Sequence, residues 1–549
     1  MNRNRNAWLL VFVAMLGLST LACGLGNGGS DGPPRNAEVV EVAANTSLEP
    51  WLFTAVSQFN ASETETAAGK PVYVILNSVD AGQAVTDLAS GTNAVLWIPD
   101  EQAWVNLLAD QGNNSFQSNC MSVAQSPLVI GMWREVAETL GWPGLDIGWL
   151  DIGSLASDPA LWNYYSGGQL GNAFRLGHTH PGLSGTGAST LLALVQAAQS
   201  KTEAVNEADI QQPIVQASVG AFEGGVTTFS SDTRALGNSM SQRGMNYLSG
   251  GVMYESDVVN YGNGQIVAVY PFEGTFIATH PACINQTTTA DQQEAAGLFR
   301  DYLLGEEGQQ LALENGLRPV STAVPLNSPL DGAHGVDPSQ PEIIFNAPSV
   351  STIYAVQELW QEARKDVNLA LLLDTSGSMR GSKMEGMQEA AVQFIEQMGE
   401  DDYISIIAFS TEPQLIVDHT QVGPNRQKIV SAVMAVPAQG DTTLFDAIGD
   451  GAVKLQETTL PQTTNAMVVL TDGQDTRSYR YDESSSSGMA LANGITVFTI
   501  AYGRDADDDV LQSLANQANG NFFEGDEASI AAIYEEMSAA FGGSVGVGR

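Results

Sequence analysis

The sequence predicts an α/β protein built as two successive modules, each with helices laid on a sheet. Three observations predict it. From Glu38 onward, apolar runs of strand length alternate with amphipathic runs of helix length. A proline-rich stretch with no hydrophobic period, residues 317–350, interrupts that alternation. A fresh alternation then begins at Val367 and continues to about Phe541. A chain of 549 residues is also too long for one hydrophobic core.

In order, the first module starts with a strand over Val39–Ala44, a helix over Pro50–Phe59, a strand over Val72–Leu76, a helix over Gly82–Ala89 and a strand over Ala94–Ile98. This is the arithmetic of parallel strands joined by helices. Further strands are expected at Pro127–Met132, Ile266–Val269 and Thr275–Ala278. A loop rich in Gly, Ser and Thr follows Phe174–Leu176 and leads into a helix over Ser189–Gln199. Helices over Gln292–Leu304 and Glu307–Glu314 close the module, which spans residues 37–350, and a connecting helix occupies 351–364. The second module, residues 365–545, opens on the apolar strand Val367–Leu373. Its next helix places Met384, Met387, Ala391, Phe394 and Met398 at spacings of three and four, so one face belongs to the core.

Formal charge is −40, from 62 acidic and 22 basic side chains. Such a surface repels polyanions, and nucleic acid is excluded as a partner. Only 15% of residues are charged and 43% are hydrophobic, so the acidity reflects scarce Lys and Arg in a folded body.

Residues 1–22 place Arg3 and Arg5 before an apolar run, Ala7–Leu18, too short to span a bilayer comfortably but suited to export. Leu18-Ser19-Thr20-Leu21-Ala22-Cys23 resembles a bacterial lipoprotein signal, which implies lipidation of Cys23 and attachment to the cell membrane by the lipid alone. A plain secretory signal ending in Thr20-Leu21-Ala22 and an uncleaved anchor are the alternative readings. Residues 23–36, rich in Gly, Asn and Pro, read as a flexible tether. With Cys23 lipidated, Cys120 and Cys283 remain, either as a disulfide in an oxidising compartment or as two buried thiols.

In the second module the first strand runs into Asp374-Thr375-Ser376-Gly377-Ser378. Strand Ala466–Leu470 ends in Thr471-Asp472-Gly473, and Asp441-Thr442-Thr443 precedes helix Leu444–Leu455. Ligand sites of open parallel sheets lie beyond the C-terminal strand ends, where these segments fall. Taken alone, Asp-x-Ser-x-Ser could be a strand-to-helix turn with Ser378 capping the helix. Together, Asp374, Ser376, Ser378, Thr442 and Asp472 resemble the metal-ion-dependent adhesion site of von Willebrand factor type A domains. The resemblance implies a doubly wound, Rossmann-like fold. It implies hydroxyl ligands from Ser376, Ser378 and Thr442, with Asp374 and Asp472 acting largely through water. Mg²⁺ is the implied ion, with Mn²⁺ as substitute, and the implied partner is a protein that offers a carboxylate. The acidic run Asp505–Asp509 has a plainer explanation as the favourable N-terminus of helix Val510–Ala518.

The first module carries Ala44-Asn45-Thr46-Ser47, Asn77-Ser78, the loop His180–Ser189, and Leu303-Leu304-Gly305-Glu306-Glu307-Gly308-Gln309 running on to Gly316-Leu317-Arg318-Pro319. These segments resemble bacterial extracellular solute-binding proteins, which implies a two-lobed, periplasmic-binding-protein-like fold of type II. Helix N-termini with Ser and Thr hydroxyls can hold an anion without basic side chains, which makes Thr46, Ser47, Ser78, Ser184 and Thr186 candidate contacts for a small-molecule or anionic solute. Helix capping explains each serine equally well. His178 and His180 lack a third metal ligand and read as structural.

The reading that follows is an extracytoplasmic, lipid-anchored recognition protein with Mg²⁺-dependent protein binding for adhesion or assembly. The alternative is the substrate receptor of an ABC-type import system. No catalytic residues are expected, since H-E-x-x-H and a Walker loop are both missing from the sequence.

Overall fold

A computed structural model describes residues 32–460, 463–543 and 546–547; the signal segment and Cys23 lie outside the described residues. The first module folds as two lobes. Lobe I begins with β1 (Glu38–Ala44), β2 (Val72–Ser78), β3 (Leu96–Ile98) and β4 (Cys120–Ser122). The chain then crosses to lobe II for β5 (Ser126–Trp133), β6 (Leu176–Thr179), β7 (Val226–Ser230), β8 (Gly250–Tyr254), β9 (Ile266–Val269) and β10 (Ile277–Ala278), and returns to lobe I as β11 (Pro281–Ile284). Strand order is β2-β1-β3-β11-β4 in lobe I. In lobe II it is β10-β5-β8-β6-β7, with β9 on β5. The crossings β4 to β5 and β10 to β11 therefore join the lobes, the chain passes to lobe II once more near Arg318, and the sulfurs of Cys120 and Cys283 are bonded across the adjacent strands β4 and β11 of lobe I.

Helices cover both lobes. In lobe I, Trp51, Leu52, Ala55 and Phe59 of helix Glu49–Ala61 are buried against Val40, Val42 and Val74. Helix Gly185–Gln199 begins four residues earlier than the sequence pattern indicates, so Thr186 falls in its first turn. Ser184 is extended there (φ −124°, ψ 140°), and Gly187 packs where a methyl group would lie 2.2 Å from the carbonyl oxygen of Thr179. The expected strand Thr275–Ala278 is shortened to β10, because Thr275 bridges to Ile344 instead.

The stretch 317–350 is nearly free of regular structure but lies against lobe II. Ala268 N donates to Gly335 O at 2.7 Å, Phe345 N donates to Thr275 O at 2.8 Å, and Arg318 pairs with the buried Glu255. Helix Val350–Ala363 then buries Ile353, Tyr354, Val356 and Trp360.

The second module is a six-stranded sheet of order β14-β13-β12-β15-β16-β17, where β12 is Asp366–Asp374, β13 Tyr403–Phe409, β14 Pro413–Gln421, β15 Thr463–Thr471, β16 Thr496–Tyr502 and β17 Phe522–Gly525. All pairings are parallel except that of the edge strand β14. Central β12 is buried on both faces, as a parallel sheet covered by helices requires. Leu369, Leu371 and Leu373 join one core with Met384, Met387, Ala391, Phe394 and Met398. Ala370 and Leu372 join the other with Leu444, Ile448 and Val469. The register Leu373↔Leu470 sets Thr471 and Asp472 level with Asp374 and Thr375, which brings two strand ends to one place.

Candidate functional sites at two sets of strand ends

In the second module the side chains beyond the strand ends form one hydrogen-bonded series. Asp374 is fully buried; its Oδ1 accepts Ser376 N–H at 2.8 Å and its Oδ2 accepts the Thr471 hydroxyl at 2.6 Å. The Ser376 and Ser378 hydroxyls are 2.9 Å apart, and Ser378 donates to Asp472 Oδ1 at 2.7 Å. Asp472 Oδ2 receives the Lys383 ammonium at 2.6 Å. Thr442 is brought to the same end: Gly377 N–H donates to Gly440 O, Thr442 N–H donates to Thr476 Oγ1 at 3.0 Å, and a methyl group on Gly473 would lie 3.9 Å from Thr442 Oγ1. Burial pushes the Asp374 carboxyl above its usual range, against hydrogen bonds from Thr471 and Ser376. Ser378 is exposed, so the series opens to solvent at one end. Thr471 and Lys383 were not singled out by the sequence. Thr471 adjoins Asp472, and Lys383 lies in the first turn of the helix that follows the Ser378 loop, which is the signal that could have found them.

The donor set suits a hard cation: two carboxylates and three hydroxyls, all oxygen. Among the described residues no cluster of three or more His, Cys, Asp or Glu side chains is placed to hold a metal, so the serines and the threonine carry this reading. Asp507 caps helix Asp508–Gln517 through its N-terminal backbone.

The first module gathers a second set where its lobes meet. Thr46, Ser47, Ser184 and Thr186 are all buried there, whereas Ser78, at the end of β2, is half-buried and stands outside the cluster. At its centre are two aspartates that the sequence reading did not select. Asp80 Oδ1 accepts Thr46 Oγ1 at 2.6 Å, Thr46 N–H at 3.2 Å and Asn45 Nδ2 at 3.3 Å, and Asp80 Oδ2 accepts the Thr233 hydroxyl at 3.2 Å. Asp100 Oδ1 accepts Asn45 Nδ2 at 3.0 Å and the Tyr254 hydroxyl. Ser47 donates to Asn45 Oδ1, and Thr186 shares hydrogen bonds with Thr179 and Ser184. Both aspartates stand at C-terminal strand ends, one before a helix and one after Pro99, so their positions were readable even though their partners were not.

Burial, reinforced by neighbouring carboxylates, pushes Asp80 up to about 6 and Asp100 to about 7. Burial likewise takes Asp257 to about 8, and the Tyr254 phenol is raised well above its ordinary value.

His178 and His180 serve the junction between modules. His178 Nε2 is 3.1 Å from Glu223 Oε1, and Glu223 also accepts Trp360 Nε1–H at 3.1 Å. His180 Nε2 donates to Gly543 O at 2.8 Å while its Nδ1 accepts Gly182 N–H at 3.0 Å, and its ring meets Trp360 edge-on. Burial holds His180 down to about 3, so it is neutral.

With this geometry in view, comparison with known proteins separates the two modules. Residues 368–536 match the von Willebrand factor type A domain. An uncharacterized protein of Synechocystis sp. is 30% identical over 163 residues, 29% of this chain and 38% of that protein. The human inter-alpha-trypsin inhibitor heavy chain H3 is 27% identical over 187 residues, 31% of this chain and 21% of its own length. This chain therefore spans well under half the length of the curated relatives it matches. Among solved structures, the sulfate-binding protein SubI of Mycobacterium tuberculosis aligns over 52% of this chain and 88% of its own, with 18% identity and a TM-score of 0.39. The von Willebrand factor type A protein of Catenulispora acidiphila aligns over 32% of this chain and 42% of its own, with 20% identity and a TM-score of 0.30. Residues 40–318, just over half of the chain, match the bacterial extracellular solute-binding protein family, and the chain belongs to that family, with a von Willebrand factor type A domain following its solute-binding module.

Proposed function

We propose that this chain is an extracytoplasmic recognition protein, lipid-anchored through Cys23, whose second module binds a protein partner in an Mg²⁺-dependent manner for adhesion or assembly. Both of its modules belong to classes that bind rather than catalyse, and its family is one of extracellular proteins. The observation that carries the reading is the convergence of Asp374, Ser376, Ser378 and Asp472 in one hydrogen-bonded series, with Thr442 beside it. The Lys383 ammonium on Asp472 supports it, since a positive charge is already drawn to this place.

Ser376, Ser378 and Thr442 would supply hydroxyl oxygens to Mg²⁺, or to Mn²⁺ in its place, and Asp374 and Asp472 would stand behind water. Asp374 is held in orientation by Thr471 Oγ1 and Ser376 N–H, so it offers a fixed acceptor and no freedom to swing. When bound, such an ion accepts a further oxygen, and a Glu or Asp carboxylate of a partner can supply it. The test is calorimetric titration of the full chain with MgCl₂ and MnCl₂. One saturable site is expected, weakened by about 100-fold or more in Asp472→Ala, beyond the loss that second-layer changes bring. Equal affinity in wild type and Asp472→Ala would sink the reading.

A further inference from the structure

The hydroxyls and N–H groups expected to hold a solute in the first module already have an anionic partner. Asp80, from lobe I, collects Thr46 N–H, Thr46 Oγ1–H and Asn45 Nδ2–H from its own lobe, and the hydroxyl of Thr233 from lobe II. A carboxylate presents the same kind of oxygen acceptors as a small oxyanion, and charge-assisted hydrogen bonds of this kind are the strong ones. Asp100 adds a second link between lobes through the Tyr254 hydroxyl. Its Oδ2, buried and without a hydrogen-bond partner among the described residues, faces Gly185, the first residue of helix Gly185–Gln199, where a methyl group would lie 2.4 Å away. A carboxylate is favourably placed at that helix end.

The lobes also touch backbone to backbone. Gln83 N–H of lobe I donates to Leu183 O of lobe II at 3.0 Å, and a methyl group on Gly82 would lie 2.3 Å from Gly182 O. The loop carrying Gly182 and Leu183 is held from behind, where Gln357 Nε2–H donates to Pro181 O at 3.0 Å and His180 to Gly543 O. Asn45, Thr46, Asp80, Asp100, Ser184 and Thr233 are each no more than 2% exposed.

We propose that the cleft between the lobes is self-liganded: the Asp80 side chain occupies the position of a bound oxyanion, Asp100 seconds it, and the module is closed by its own carboxylates and takes no oxyanion solute. A sulfate or phosphate entering the cleft would find its donors engaged and two acidic side chains beside it, at a depth where charges are poorly screened. The closed form then needs no ligand, and the first module acts as a rigid platform for the second. This inference is independent of the metal reading, because it concerns none of the residues proposed to hold the ion.

The test uses the full chain. Calorimetric titration of wild type with sodium sulfate and sodium phosphate is expected to show no saturable binding. Asp80→Ala, which deletes a group the size of formate, is expected to melt lower than wild type. Sodium formate should raise its melting temperature by about 3 °C or more, while sodium chloride of equal ionic strength should not, and neither salt should separate in wild type. Saturable sulfate or phosphate binding by wild type overturns the proposal, as does an Asp80→Ala chain that melts like wild type or is indifferent to formate. Should Asp80→Ala fail to fold, Asp80→Asn decides together with the wild-type titration. It keeps the shape but replaces one of the two accepting oxygens with an N–H donor, so it is expected to melt lower without formate rescue, and wild-type stability in this variant overturns the proposal.

Discussion

The two modules place similar side chains, Asp with Ser and Thr, beyond the C-terminal ends of parallel strands, yet they finish them in opposite ways. Between the lobes the carboxylates turn onto the chain's own hydroxyls, and Asp80 and Asp100 are sealed from water. In the second module the series from Asp374 to Asp472 runs out to an exposed serine and ends on the ammonium of a half-buried lysine. The same chemistry is closed in one place and open in the other, and the difference lies in what faces it. A second lobe supplies Thr233 and Tyr254 to the first set, while solvent faces the second. Ingredients alone therefore do not identify a working site; the route to solvent does.

The largest blow to the closed set should come from Gly82→Ala. Its methyl group meets the Gly182 carbonyl oxygen, a backbone atom that cannot swing aside, and overpacking of this sort costs about 1–3 kcal/mol. A lowered melting temperature with unchanged Mg²⁺ titration would confirm that the lobes close independently of the metal site. An unchanged melt would show that they do not need this approach.

The pH dependence sharpens the contrast. Asp80, Asp100 and Asp257 have folded-state values raised to about 6, about 7 and about 8, so each favours folding most when protonated. Their contribution is full below the ordinary carboxyl range and is lost as pH rises through those values. Buried His280, lowered to about 4, and His180, lowered to about 3, act in the opposite sense, but only below the ordinary imidazole value of about 6.5. Between about pH 6.5 and 8 the carboxyls alone should govern, with Glu101, raised by burial to about 8, and Glu536, raised by burial to about 7, titrating alongside them and Tyr254 neutral. Wild type should lose stability across that window more steeply than Asp100→Asn in urea melts, and parallel slopes would refute the assignment.

The smallest effect is expected at the open set. Lys383→Gln removes the partly exposed ammonium from the buried Asp472 and leaves an amide N–H able to donate to the same oxygen. Mg²⁺ should then bind a few-fold more tightly, since no resident cation competes for the carboxylate. Weaker binding in the calorimeter would mean that Lys383 orients Asp472 rather than competing for it.

How much of this was readable beforehand depends on how local each feature is. Asp374, Ser376 and Ser378 are neighbours in the chain, and the strand-length run before them fixed where they stand. Thr442 and Asp472 each sit at an element boundary with a clear apolar period; strand register brings in Asp472, and loop hydrogen bonds at Gly440 and Thr476 bring in Thr442. The cleft between the lobes was only half legible. Thr46, Ser184 and Thr186 lie in it, but Asp80 and Asp100 gain their meaning from Thr233 and Tyr254, which are 153 and 154 residues away and carry no spacing signal. The start of helix Gly185–Gln199 escaped for a related reason. Two glycines and a threonine in its first turn weaken the helical pattern, and tertiary packing against Thr179 overrides it.

The junction built from His178, Glu223, Trp360 and His180 has a mechanical consequence. Pulling on the second module while the first is tethered would load helix Val350–Ala363 and the Gly543 contact side by side, because both bear on the loop at His180–Pro181. Tension would thus be shared between two attachments to lobe II instead of passing along a single strand of chain.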